Sequence, residues 1–189
     1  VVHARVRTQL QAKQARDWMK NQNAMLEAEV SRRMTENNLI QKVSISALAH
    51  LAETRDPETG KHLRRTQEYV LTLAKGLQKH PRFAHYLDNR TINALAQSAP
   101  LHDIGKVGIP DRILQKPGKL TEEEWVIMKT HAELGARAIE MAEKDSETSL
   151  TFLEVGKEIA HWHHEKWDGT GYPRGLKGEA IPLSASIIA

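Results

Sequence analysis

HWHHEKWDGTGYPRGLKGEAIP, residues 161–182, closes a helical pattern on two adjacent histidines, His163 and His164, and enters a glycine-dense loop carrying Tyr172 and Pro173. Upstream, LHDIGK at 101–106 sets His102 beside Asp103. Neutral imidazole and carboxylate are the ligands that hold divalent iron, manganese, nickel or zinc. Two such doublets on separate segments can clamp two metals that share a bridge. Metals about 3.5–4 Å apart are a standard device for activating water against a phosphodiester. The chain therefore reads as a metal-dependent phosphodiesterase domain.

Outward from the doublets the periodicity is helical. Residues 1 to about 53 hold no proline or glycine and read as one or two long helices. Asp56, Pro57 and Gly60 then break the pattern. A helix is expected from about Lys61 to Lys79, with Thr66, Tyr69, Val70, Leu73 and Leu77 on one side, stopped by His80-Pro81. Another runs from about Asn89 to Leu101, into the His-Asp doublet and Gly105. Thr121 with Glu124 forms a capping box that opens a helix to about Lys144, and a last helix spans about Leu150 to Lys166. Strand-type alternation is absent, so the fold class is all-α.

A length of 189 residues suits one sizeable domain with an appended segment. Hydrophobic residues make up 40% of the chain, charged 27% and aromatic 5%, which fits a helical, soluble protein. No apolar run approaches the roughly 18 residues of a membrane span, and the start lacks a signal-peptide pattern. A cytoplasmic chain with no membrane partner is expected. With no cysteine there is no disulfide framework and no thiolate site, and ten histidines move the metal question to imidazole. The net charge of +3 is interspersed, so no nucleic-acid polymer is expected as partner. The chain opens without methionine and stops at Ile187, Ile188, Ala189 in mid-pattern, as a fragment of a longer protein would.

Candidate ligands can be tested against helix faces. His131 shares a side with Ile127, Leu134 and Ala138; His163 follows Ile159 and Val155; His62 begins the side of Thr66, Tyr69 and Leu73. Three histidines thus point inward from three helices. Each needs a buried partner, which a shared metal supplies. Any one alone reads as a hydrogen-bonded core histidine; the two doublets turn the balance toward metal. His3, His50, His80, His85 and His161 lack that context and read as surface or packing residues. At a helix end the His102 and Asp103 side chains diverge by about 100°, one holding a metal while the carboxylate bridges to a second. Lys106 can neutralise a phosphate oxygen or a departing alkoxide, or balance a helix dipole. Glu58, four residues before His62, is a further ligand or a loop acid. Arg65 is a phosphate grip or a surface arginine.

The runs HDIGKVGIPDRILQKPGKLTEEEWVIMKTHAELGA from His102 and HHEKWDGTGYPRGLKGEAIPLSA from His163, with DPETGKHLRR at Asp56–Arg65, resemble the HD-GYP family of cyclic di-GMP phosphodiesterases. The resemblance covers about Ser44 to Ala189. It implies an all-α HD-superfamily helical bundle preceded by a long, coiled-coil-like N-terminal helix. It also implies a linker or stalk over 1–43 and an HD-GYP domain over 44–189, truncated at its C-terminal end. Metal ligands are implied at His62, His102, Asp103, His131, His163 and His164, with Glu58 matching members that carry three metals rather than two. The cofactor is then two or three divalent ions, iron or manganese ahead of nickel or zinc. Asp103 and Lys106 are the implied catalytic residues, Lys106 also contacting the substrate phosphate. Gly171, Tyr172 and Pro173 form the signature loop, through which a silent member would dock a diguanylate cyclase domain. The implied reaction is hydrolysis of cyclic di-GMP by a metal-bridging hydroxide to linear diguanylate, and to GMP after a second cut. An HD phosphohydrolase acting on other nucleotides, or a silent module that binds a cyclase, are the alternatives. In the family an aspartate ligand follows beyond the position of Ala189.

The N-terminal thirty residues are similar to the last receiver helix and linker of response regulators. A heptad-like seam of Met19, Asn23, Leu26, Val30, Arg33, Asn37 and Ile40 is spaced alternately four and three. It reads as a parallel homodimer stalk, with a solvated connector as the alternative.

Overall fold

The computed structural model describes residues 2–55, 61–145 and 150–189, and among them every regular element is helical. Two compact units are present, residues 1–43 and 44–189. Helix α1 (Val2–Glu53) is one element, which an interior free of proline and glycine permits. In the first unit Met19, Leu26, Val30 and Ile40 are each more than half exposed. Glu29 holds Arg32 and Arg33 at 2.9 and 2.8 Å. A helix of this kind gains little from such exposed pairs.

The second unit takes in residues 44–53 of α1, then α2 (His62–Leu77), α3 (Asn89–Ser98), α4 (Asp111–Leu114), α5 (Glu122–Lys129), α6 (His131–Asp145), α7 (Thr151–Trp162) and α8 (Leu183–Ile188). Short 3₁₀ turns cover Ala99–Leu101, Ile104–Gly108 and Gly178–Ala180. Val70, Ala74, Leu87, Ile92, Leu95, Val155, Ile159 and Ile187 form one core, at about 1.5–3 kcal/mol for each large side chain. Ile45, Leu101, Ile139 and Ala160 form a second. Helix α7 contributes Ile159 to the first and the adjacent Ala160 to the second, so the helix that leads to His163 is locked on two sides.

Several sequence expectations change here. The buried face of α2 is Leu63, Val70 and Ala74, while Tyr69 and Leu73 are 69% and 46% exposed; the inward stripe lies one residue round from the one expected. The capping box is present, with Thr121 Oγ1 accepting from Glu124 N–H at 3.3 Å and Glu124 returning the bond at 2.7 Å. The helix it opens does not run to Lys144, however. It stops at Lys129 because the Thr130 amide and hydroxyl both donate to the Ile127 carbonyl, at 3.0 and 2.6 Å, closing a tight final turn. Ile127 is therefore on a different helix from His131 and is exposed. Helix α7 ends at Trp162 rather than Lys166, and α4, α8 and the 3₁₀ turns come from segments without a long apolar period. No described helix is long and apolar enough to cross a membrane.

Candidate metal centre

Three turns deliver the chemistry to one place. His102 caps the 3₁₀ turn Ala99–Leu101, His131 opens α6, and His163 caps α7. The neighbouring turn Ile104–Gly108 packs so closely on α6 that a Cβ on Gly105 would collide with the His131 carbonyl and the Gly135 amide. Only glycine permits that approach, and it sets Asp103 against His131.

Each of the three rings is aimed by the main chain. The Nδ1 atoms of His102 and His131 lie 2.8 Å from the carbonyl oxygens of Ala99 and Met128. That of His163 lies 3.0 Å from the carbonyl of Ile159. A carbonyl only accepts, so each Nδ1 carries the proton, and in the neutral ring Nε2 is a bare lone pair. All three Nε2 atoms converge on one carboxylate. His102 Nε2 is 3.1 Å from Asp103 Oδ2; His131 and His163 Nε2 are 3.3 and 3.6 Å from Asp103 Oδ1.

Lone pairs facing a carboxylate repel unless a positive charge lies between them. Asp103 Oδ1, His131 Nε2 and His163 Nε2 are buried without a hydrogen-bond partner. Leaving such atoms unmet costs about 1–3 kcal/mol each. A divalent cation meets all three at once, so the donor set fits a metal. Asp103, His131, His163 and His164 offer one ligand atom apiece within 4.8 Å of one another. Electrostatics agree. Burial lowers the His131 pKa, and burial with the neighbouring imidazoles pushes His164 down to about 3, so both are neutral donors. Burial disfavours the Asp103 carboxylate, but the His102 hydrogen bond and the nearby charges of His102 and Lys106 outweigh it and hold the group ionised. His102 differs from the other two: burial opposes its charge, but its contact with Asp103 prevails and raises its pKa, so its Nε2 can hold a proton toward Oδ2 that a bound cation would displace.

The expected divergence of His102 and Asp103 does not occur. Asp103 leaves helical geometry at φ −102° and ψ 10°, which folds its carboxylate back onto His102. Its two oxygens then face different imidazoles, Oδ2 toward His102 and Oδ1 toward His131 and His163. Lys106 Nζ lies 2.9 Å from Oδ2. His62, at the start of α2, places its ring 5.6 Å from that of His102, on the flank of the cluster. Arg65 is exposed on α2. Glu58 lies outside the described residues. His3, His50, His80 and His85 are exposed, and His161 stacks on Trp162 at 3.8 Å.

The glycine-dense loop closes over this cluster. Gly171 lies against the backbone of 164–166, where any Cβ would overlap the Glu165 Cα and the His164 carbonyl. Tyr172 N–H donates to the His164 carbonyl at 3.2 Å, and its ring stacks on the His164 ring at 4.5 Å. Burial, reinforced by the Asp103 charge, raises the Tyr172 pKa and keeps the phenol protonated. Pro173 follows, half-buried. The sequence reading missed Glu165. It is only 3% exposed, and its two oxygens accept the amides of Arg174 and Leu176, each at 2.8 Å. A charged residue beside two candidate ligands and before a glycine loop was its only signal.

The family model described as HD domain matches residues 46–189. A probable cyclic di-GMP phosphodiesterase of Vibrio cholerae is 53% identical over 189 residues, all of this chain and 43% of that protein. A cyclic di-GMP phosphodiesterase of the same organism is 56% identical over 147 residues, 78% of this chain and 30% of the relative. A 3'3'-cGAMP-specific phosphodiesterase, also from Vibrio cholerae, is 42% identical over 142 residues, 75% of this chain and 24% of the relative. The chain thus spans less than half the length of these curated relatives.

Proposed function

The chain belongs to the HD-domain family, and from that premise we propose that it hydrolyses the phosphodiester bonds of cyclic di-GMP at a divalent-metal centre. One observation carries the chemistry: the buried, unpaired Nε2 atoms of His131 and His163 facing an unpaired oxygen of Asp103. The substrate class rests on relatives at 53% and 56% identity named for cyclic di-GMP.

In this reading His62, His102, Asp103, His131, His163 and His164 would hold two cations, Asp103 turning one oxygen toward His102 and the other toward His131 and His163. Glu58 is assigned to a third. Iron or manganese suits a set of imidazoles and a carboxylate without thiolates. When bound, the cations lower the pKa of water and offset phosphoryl charge. Lys106 sets its ammonium beside Asp103, where it can meet a phosphate oxygen, and Arg65 can grip the second phosphate. The Tyr172 ring shields His164 and so excludes water from one side. The products are linear diguanylate and, after a second cut, GMP.

The relative named for 3'3'-cGAMP favours a second reading, in which that cyclic dinucleotide is the substrate. We assign residues 1–43 to a homodimeric stalk following a receiver domain, and 44–189 to the HD-GYP catalytic unit of a cytoplasmic protein. Tyr172 and its loop would meet a diguanylate cyclase partner. The test is metal content of anaerobically purified protein, measured with turnover of both dinucleotides. At least two metals per chain with faster cleavage of cyclic di-GMP is expected. Metal-free protein, or protein inert toward both, overturns the proposal.

A further inference from the structure

Helix α5 has a peculiarity that the metal chemistry leaves unused. None of its eight residues is buried, although Trp125, Val126 and Ile127 follow one another along it. Trp125 is 46% exposed. The helix owes its position to its ends: the Thr121–Glu124 capping box, a Lys116–Glu124 ion pair, and the Thr130 turn onto Ile127. An exposed indole that the core does not need is a contact surface in waiting.

Its location says for what. The Trp125 ring meets the Tyr172 ring edge-on at 6.4 Å, and Tyr172 in turn stacks on His164 and stands 6.3 Å from His131. Lys129, one turn along α5 from Trp125, carries its ammonium 6.0 Å from the Tyr172 ring centre. An open aromatic face and a cation therefore border the cluster that would hold the reacting phosphate. This pairing suits a planar heteroaromatic ring linked to that phosphate. Any base stacks on indole, and an ammonium donates to acceptors such as guanine O6 and N7.

We propose that Trp125 is a stacking platform for one nucleobase of the cyclic dinucleotide and that Lys129 binds that base's edge. The inference rests on the reading of the centre as a cyclic-dinucleotide phosphodiesterase. Trp125 then determines affinity and not the chemical step.

Stacking of a base on an aromatic side chain is worth about 1–3 kcal/mol, so Trp125→Ala should raise KM for cyclic di-GMP roughly 5- to 150-fold. The value of kcat should stay within about twofold, and inorganic phosphate, which has no base, should inhibit parent and variant alike. Trp125→Phe should recover most of the lost affinity. Alanine favours a helix, so the substitution does not threaten α5. As a readout without turnover, cyclic di-GMP should quench tryptophan fluorescence in the parent, and Trp125→Phe should lose most of that quenching. An unchanged KM in Trp125→Ala overturns the proposal. So does a parallel fall in kcat and phosphate inhibition, which marks a packing residue. If the parent binds cyclic di-GMP with quenching through Trp125 but cleaves nothing, the hydrolase reading fails and the platform stands. If it binds no cyclic dinucleotide, both fall.

Discussion

His131 Nε2 stands 3.3 Å from Asp103 Oδ1, and both atoms are buried without a hydrogen-bond partner. Neither can give the other a proton while the imidazole is neutral. Replacing either residue with alanine removes a donor that nothing else supplies. Loss of groups one layer further out already costs 10–100-fold in metal affinity. Asp103→Ala and His131→Ala should therefore lose on the order of 100-fold or more, with hydrolysis abolished and helical circular dichroism retained. Elemental analysis after dialysis decides it; full metal content in either variant would place the centre elsewhere.

Glu165 should matter for stability as much as for catalysis. Its carboxylate takes two amides of the loop that holds Tyr172 over His164. Glu165→Ala removes the acceptor of both amides at a part-buried site, a loss of about 1–3 kcal/mol. Glu165→Gln, which keeps one accepting oxygen, should lose less. Urea unfolding of the three proteins measures the order, and equal stabilities would contradict it.

Acid should expose the cap of α3. Asp88 accepts the Thr91 amide at 2.6 Å, and that bond lowers its pKa. A carboxylate depressed in the folded chain contributes stability above its unfolded pKa and loses it as pH falls through the folded value. Asp88→Ala should lower Tm near neutral pH, with the gap to the parent closing as pH falls below the ordinary aspartate pKa of about 3.9 and through the lowered folded value. A gap that persists in strong acid would mean that the charged cap is not its source.

For the stalk, light scattering gives the answer before any kinetics. Leu26 and Val30 are 61% and 55% exposed on α1. A parallel dimer would bury them, with Asn23 and Asn37 fixing register. Leu26→Lys with Val30→Lys should convert a dimer to monomers while turnover per chain survives. A parent that is monomeric at micromolar concentration removes the dimer at once.

Local signals were the legible ones. The Thr121–Glu124 box and the unbroken α1 are written in neighbouring residues, and the His-Asp and His-His doublets sit in contiguous motifs. Facing directions were harder. Tyr69 and Leu73 have the right spacing for an inward stripe, but the face that α2 buries carries Leu63, Val70 and Ala74, and which face meets α3 is a tertiary choice that spacing does not encode. The stop at Thr130 turns on a hydroxyl bond competing with the helix, and such competition leaves no periodic trace. Asp103 folds back on His102 through one non-helical backbone pair, which residue identity alone does not encode. Glu165 and Trp125 gain their meaning only once the loop and α5 come together beside Tyr172.

The imidazoles of His102, His131 and His163 lean on the carbonyls of Ala99, Met128 and Ile159 and not on acidic side chains. A carboxylate in that place would push electron density through the ring and add a negative charge. A neutral carbonyl does neither. A cation seated among these rings would keep more of its Lewis acidity, and an anion beside it would meet no carboxylate behind these three imidazoles. Since the aim of these three rings comes from the main chain, it does not depend on an acidic side chain standing behind them.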